Sequence, residues 1–92
     1  MAVTVRVVGD LTRFMSADRV RLDGSGWTLA AALEELMRLH PALRGQLFDD
    51  HMRIHYALVM MAGGRPVAWP KDRDTAVKDG DELLLTRFHS GG

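Results

Sequence analysis

Hydrophobic and polar positions alternate at the start of the chain, with Val3, Val5 and Val7 on one parity and Thr4 and Arg6 on the other. Period two in β-branched residues predicts a strand over Ala2 to Val8. Gly9-Asp10 breaks it. Leu11 to Ala17 carries Thr12, Arg13 and Ser16 across any apolar stripe and reads as a long hairpin loop. Alternation returns over Asp18 to Asp23, with Val20 and Leu22 inward and Arg19 and Arg21 outward, until Gly24-Ser25-Gly26 stops the strand.

The period then lengthens. Leu29, Leu33, Leu36, Met37 and His40 fall at offsets 0, 4, 7, 8 and 11, the stripe of an amphipathic helix. Thr28 is its expected N-cap, because a hydroxyl can accept an unpaired backbone N–H of the first turn. Glu34, Glu35 and Arg38 take the solvent side, and Pro41 ends the helix. Leu43, Leu47 and Phe48 predict one further short helical turn ending near Asp49-Asp50.

Tyr56 to Met61 is continuously apolar and of strand length, which predicts a central strand buried on both faces. Gly63-Gly64 can supply the positive φ angles of a tight hairpin turn. The return strand, Arg65 to Trp69, is confined to a sheet edge by Pro66. Pro70 to Lys78 is irregular, with Val77 directed at the core. Asp79-Gly80-Asp81 turns the chain into a last strand, Glu82 to Phe88.

The order is strand, strand, helix, short helix, strand, short strand, strand. One main helix across a mixed sheet of four to five strands satisfies the burial needs of both, so the fold class is α+β with a β-grasp arrangement. Residues 1–92 form a single domain, with 87–92 expected as a flexible C-terminal tail.

Composition narrows the function. There is no cysteine, which removes disulfides, thiolate metal sites and a cysteine nucleophile. Twelve basic residues balance twelve acidic ones, so no nucleic-acid footprint is expected. Nothing near Met1 has the build of a signal peptide, and the longest apolar run, Tyr56 to Ala62, is too short for a membrane helix. A cytoplasmic protein without membrane or nucleic-acid partners is the expectation.

Side-chain chemistry is sparse. His51 and His55 have the i, i+4 spacing of a helical metal pair but lack the glutamate of the zinc-protease motif, so exposed loop histidines and no metal are expected. Gly24-Ser25-Gly26 is too short for a phosphate loop. Glu34-Glu35, Asp49-Asp50 and Asp81-Glu82 are sequence neighbours, which do not converge on one substrate atom. The six methionines are expected mostly as core fillers. No residue is assigned as catalytic.

Gly91-Gly92 remains. Such an end is either frayed or reactive. Read as the chain terminus directly after a strand, it has no Cβ to obstruct a narrow cleft. Arg87 to Gly92, fully extended, spans up to roughly 20 Å, enough to enter a partner's active site.

The stretch Tyr56-Ala57-Leu58-Val59-Met60-Met61-Ala62-Gly63-Gly64-Arg65-Pro66-Val67, then Thr75-Ala76-Val77-Lys78-Asp79-Gly80-Asp81-Glu82-Leu83, then Gly91-Gly92, resembles the ubiquitin-like sulfur carriers of the MoaD/ThiS-like family. The resemblance covers the C-terminal 40% or so of the chain. The sequence departs from the family where Thr86-Arg87-Phe88-His89-Ser90 replaces the prolines common before the end in relatives of molybdopterin synthase. It departs again where Ala62-Gly63-Gly64 stands for an Asn-Gly turn.

The resemblance implies a ubiquitin-like β-grasp. It implies an E1-like adenylating enzyme that uses ATP to activate the Gly92 carboxylate, no cofactor bound to the chain itself, a sulfur donor, and a downstream sulfur-accepting synthase. Gly91 and Gly92 are the reactive end, and the chain is a carrier rather than an enzyme. Leu84, Phe88, Arg87 and Ser90 are candidate partner contacts. Leu84 is either an exposed anchor or packed under Trp69 or a loop; Arg87 is expected to be solvated. The small subunit of molybdopterin synthase, a ubiquitin-like modifier of lysines and a plain β-grasp interaction domain are the alternatives.

Overall fold

The computed structural model describes residues 1–15 and 17–87. Its strands are β1 (Ala2–Val7), β2 (Arg19–Asp23), β3 (Leu58–Ala62), β4 (Arg65–Val67) and β5 (Glu82–Arg87). Helix α1 spans Leu29–Leu39, and α2 is a single turn, Arg44–Leu47. The strands form one mixed sheet in the order β2-β1-β5-β3-β4. β5 is therefore the middle strand, parallel to β1 on one side and antiparallel to β3 on the other. This is an α+β ubiquitin-like β-grasp.

Alternation builds the core. Val3, Val5 and Val7 of β1 and Leu83 and Leu85 of β5 are all at most 1% exposed, while their odd-even neighbours are half-buried. α1 lays Leu29, Ala32, Leu33, Leu36 and Met37 against them. Its first turn is capped as expected: the Ala31 N–H donates to Thr28 Oγ1 at 3.1 Å. His40 caps the other end through its backbone N–H to the Leu36 carbonyl, and Pro41 opens a 3₁₀ turn that buries Leu43. Gly63 and Gly64 both take positive φ, 57° and 79°, the requirement of a tight primed hairpin turn between β3 and β4. Val77 is buried, as predicted.

Three expectations fail, and the hairpin loop, which joins β1 to the antiparallel β2 as expected, holds an element of its own. The Tyr56–Met61 run is not a central strand buried on both faces. β3 begins at Leu58, Tyr56 is 93% exposed, and within the strand only Met60 is buried. The sheet has one covered face, so the apolar run alternates between core and surface like any other strand. The predicted hairpin loop after β1 holds a 3₁₀ helix, Gly9–Phe14, that buries Leu11 completely. The methionines are not mostly core: Met37 and Met60 are buried, Met1 and Met52 are exposed, and Met15 and Met61 are half-buried. Finally, Arg87 is the last residue of β5 rather than the start of a tail.

Candidate functional site: the root of the last strand

β5 is the element from which residues 88–92 continue, and it is held on both sides. Leu83 and Leu85 pair with Val5 and Val7 across the parallel ladder and with Ala62 and Met60 across the antiparallel one. Their side chains are fully buried under α1. Leu84 and Thr86 carry the other parity and lie on the open face of the sheet.

The register assembles a row on that open face: Arg19, Arg6, Leu84, Met61 and Pro66, one residue per strand from β2 to β4. Val59, 36% exposed, pairs with Thr86 beside the row. Val59, Met61 and Leu84 thus form a small apolar strip. A basic margin flanks it through Arg19 and Arg6. Arg6 lies 3.9 Å from the Glu82 carboxylate, while its Nε is buried without a hydrogen-bond partner.

Leu84 does not sit under Trp69. Trp69 packs on the helix side, its ring edge-on to Phe48 with centroids 5.2 Å apart, and Arg73 lies over it at 5.4 Å.

Arg87 is not solvated, contrary to expectation. It shares the inward parity of Leu83 and Leu85 and is only 9% exposed. Its Nη2 donates to Asp10 Oδ2 at 2.8 Å, its Nε to Asp10 Oδ1 at 3.3 Å, and its Nη1 to Gln46 Oε1 at 2.8 Å. Three segments distant in sequence therefore meet at the end of β5. Asp10 and Gln46 were not foreseen as members of this site. The parity of Arg87 was the available signal.

Phe88, Ser90, Gly91 and Gly92 lie outside the described residues. The histidines do not form a helical metal pair, because residues 51–55 are not helical. His51 is exposed; His55 accepts the Ala57 N–H through Nδ1 at 3.1 Å and stacks on Tyr56 at 4.8 Å. Among the described residues no group of three or more His, Asp or Glu is placed to hold a metal, and no helix is long and apolar enough to cross a membrane.

Asp49 organises the loop before β3. Its carboxylate accepts the backbone N–H groups of His51 and Arg53 at 2.8 and 2.9 Å and the Arg53 Nε at 3.0 Å. The Arg53 backbone bond chiefly holds its pKa below the usual carboxylate value.

No family model matches the chain, and no curated protein matches it. Solved structures do. SAMP1, the small archaeal modifier protein 1 of Haloferax volcanii, is 29% identical, with 100% of both chains covered and a TM-score of 0.85. The same-named protein of Methanosarcina acetivorans is 22% identical, with 99% of this chain and 96% of that one covered and a TM-score of 0.78. A chain of the BexX/CysO complex of Amycolatopsis orientalis is 22% identical, with 99% of this chain and 100% of that one covered and a TM-score of 0.79.

The fold is therefore the ubiquitin-like β-grasp, and over its whole length the chain is similar to SAMP1, a small modifier protein. The resemblance read from the last two-fifths of the sequence extends over the whole chain.

Proposed function

We propose that the chain is a sulfur carrier whose C-terminal Gly92 carboxylate is activated by an E1-like adenylating enzyme and converted to a thiocarboxylate. The observation that carries this reading is that Gly91 and Gly92 follow in sequence four and five residues after Arg87, the end of the central strand of a β-grasp. A carboxylate is a poor electrophile. Attack of its oxygen on the α-phosphorus of ATP expels pyrophosphate and leaves an acyl-adenylate. Sulfide-level sulfur from a donor then attacks the acyl carbon and expels AMP, so that one sulfur replaces one oxygen. Two displacements replace one difficult substitution. The carrier contributes position, not catalysis.

A carrier must also be recognised. The Val59, Met61 and Leu84 strip supports docking on the open face, since apolar surface beside a reactive end suits a partner contact. Phe88 and Ser90 are further candidates by their place in the sequence. The downstream partner is a sulfur-accepting synthase; as the small subunit of molybdopterin synthase the chain would meet such a partner in a stable complex.

A second reading is supported by the 29% identity with SAMP1, whose name is that of a modifier protein. In that reading the acyl carbon of the Gly92 adenylate is attacked by a deprotonated lysine amine, which expels AMP, loses a proton and forms an isopeptide bond.

The test is an intact-mass spectrum after incubation with ATP, a sulfide source and an activating enzyme. The carrier gains the mass difference of sulfur for oxygen, and fragmentation must place it on Gly92 because oxidation of methionine gives nearly the same nominal shift. Lysine-linked adducts in place of that shift favour the modifier reading. Absence of both, or full activity after deletion of Gly91-Gly92, overturns the proposal in favour of a plain interaction domain.

A further inference from the structure

An inward-facing guanidinium is costly unless it is paired with an opposite charge and further hydrogen-bonded. At Arg87 the cost is offset by a fork: two bonds to the Asp10 carboxylate and one to Gln46. The other ion pairs of the described residues hold arginines that are 40% to 74% exposed, so their geometry is weakly constrained. Arg87 at 9% is different, and Asp10 opposite it is 27% exposed. The contacts join positions 77 and 41 residues apart in sequence. A planar, two-point pairing fixes orientation as well as distance, which a lysine in the same place would not do.

The hydrophobic ladder does not need this arrangement. Leu83 and Leu85 already hold the body of β5. The fork acts on the last pair of the ladder among the described residues, Leu58 with Arg87, and strand ends ordinarily fray. We propose that Arg87 is a positioning residue. By locking the Leu58–Arg87 pair against Asp10 and Gln46, it fixes the point from which residues 88–92 depart and so presents Gly92 to the activating enzyme. It acts through this chain's own acid and amide rather than by touching the enzyme. The inference rests on the carrier reading of Gly92.

The size of the effect follows from chain entropy. Each backbone residue released from the strand must be re-ordered for reaction, a loss of roughly five- to thirtyfold in kcat/KM. The experiment compares wild type, Arg87→Ala, Asp10→Ala and the exchanged pair Asp10→Arg/Arg87→Asp. Amide hydrogen exchange at Val59 and Thr86, the hydrogen-bonded pair next to Leu58–Arg87 in the ladder, reads the lock, since the Leu58 amide itself donates to the His55 carbonyl; ATP-dependent thiocarboxylation of Gly92 reads the transfer.

Both single variants should exchange at least tenfold faster at these two amides and transfer roughly five- to thirtyfold more slowly, with the protein still folded by circular dichroism. The exchanged pair should recover most of both losses. Unchanged amide exchange in the single variants overturns the proposal. So does recovery of exchange without recovery of transfer, because Arg87 would then be touching the enzyme itself. If wild type carries no sulfur at Gly92 under any condition, the carrier reading fails and the positioning role fails with it. The exchange data would then identify the fork as a structural lock alone.

Discussion

Leu84 and Leu85 are adjacent on β5 yet face opposite sides of the sheet, so truncating each should break a different property. Leu85 is fully buried between the ladders and α1. Leu85→Ala removes buried atoms and leaves a cavity, costing about 3–5 kcal/mol. A chain of 92 residues has about 5–14 kcal/mol in all. The variant should therefore lose at least about a fifth of its stability and upwards of about 10 °C in Tm. Leu84 is only half-buried on the open face. Its truncation should cost ~0.5–1.5 kcal/mol. Urea unfolding checks both: the midpoint should fall sharply for Leu85→Ala and slightly for Leu84→Ala, at similar m values. Transfer kinetics, measured where both remain folded, should then rank the two in the opposite order, with Leu84→Ala raising KM for the activating enzyme or the acceptor. Equal stability losses would refute the face assignment. A Leu84→Ala protein with wild-type kinetics would refute the role of the apolar strip.

Three further outcomes follow from local structure. Thr28→Ala removes the acceptor for the Ala31 N–H and should lower stability by about 1 kcal/mol in thermal or urea unfolding, whereas Thr28→Ser should retain most of it. Gly63→Ala should destabilise the hairpin by about 1 kcal/mol or more, because φ is positive and the new Cβ would stand 3.0 Å from Asp81 Oδ2; Gly64→Ala meets no such neighbour, so its unfolding midpoint should move less. Asp49 should titrate below 3.8 in an NMR experiment, since its folded pKa is depressed. Its contribution to loop order is therefore present above that value and fades as pH falls through the lower folded one, and Asp49→Asn should abolish this acid-side change.

Much of the fold was legible because local patterns and tertiary burial agree. Val3, Val5 and Val7 alternate for the same reason that one face of β1 is covered. Thr28 and Pro41 bracket α1 through backbone chemistry that needs no distant partner. Gly63-Gly64 specified its turn through φ alone. The Tyr56 run misled because an apolar residue carries no record of whether anything lies above it. At Tyr56 a histidine ring stacks on one side and solvent takes the rest. Leu11 misled in the opposite sense, since a single buried residue in a 3₁₀ turn leaves no periodic trace.

The candidate site divides along the same line. Gly91-Gly92, the Asp79-Gly80-Asp81 turn and the alternation of Leu83, Leu84 and Leu85 are properties of neighbouring residues, and the sequence by itself determined them. The tertiary structure decided that β5 is the middle strand. It also decided that Val59 and Met61 join Leu84 on one open strip, and that Arg87 is turned inward onto Asp10 and Gln46. These are facts of register and of contact across 41 to 77 residues. Period and propensity act over a few residues, whereas the pairing of an inward-facing charge depends on which distant segments the sheet brings to it.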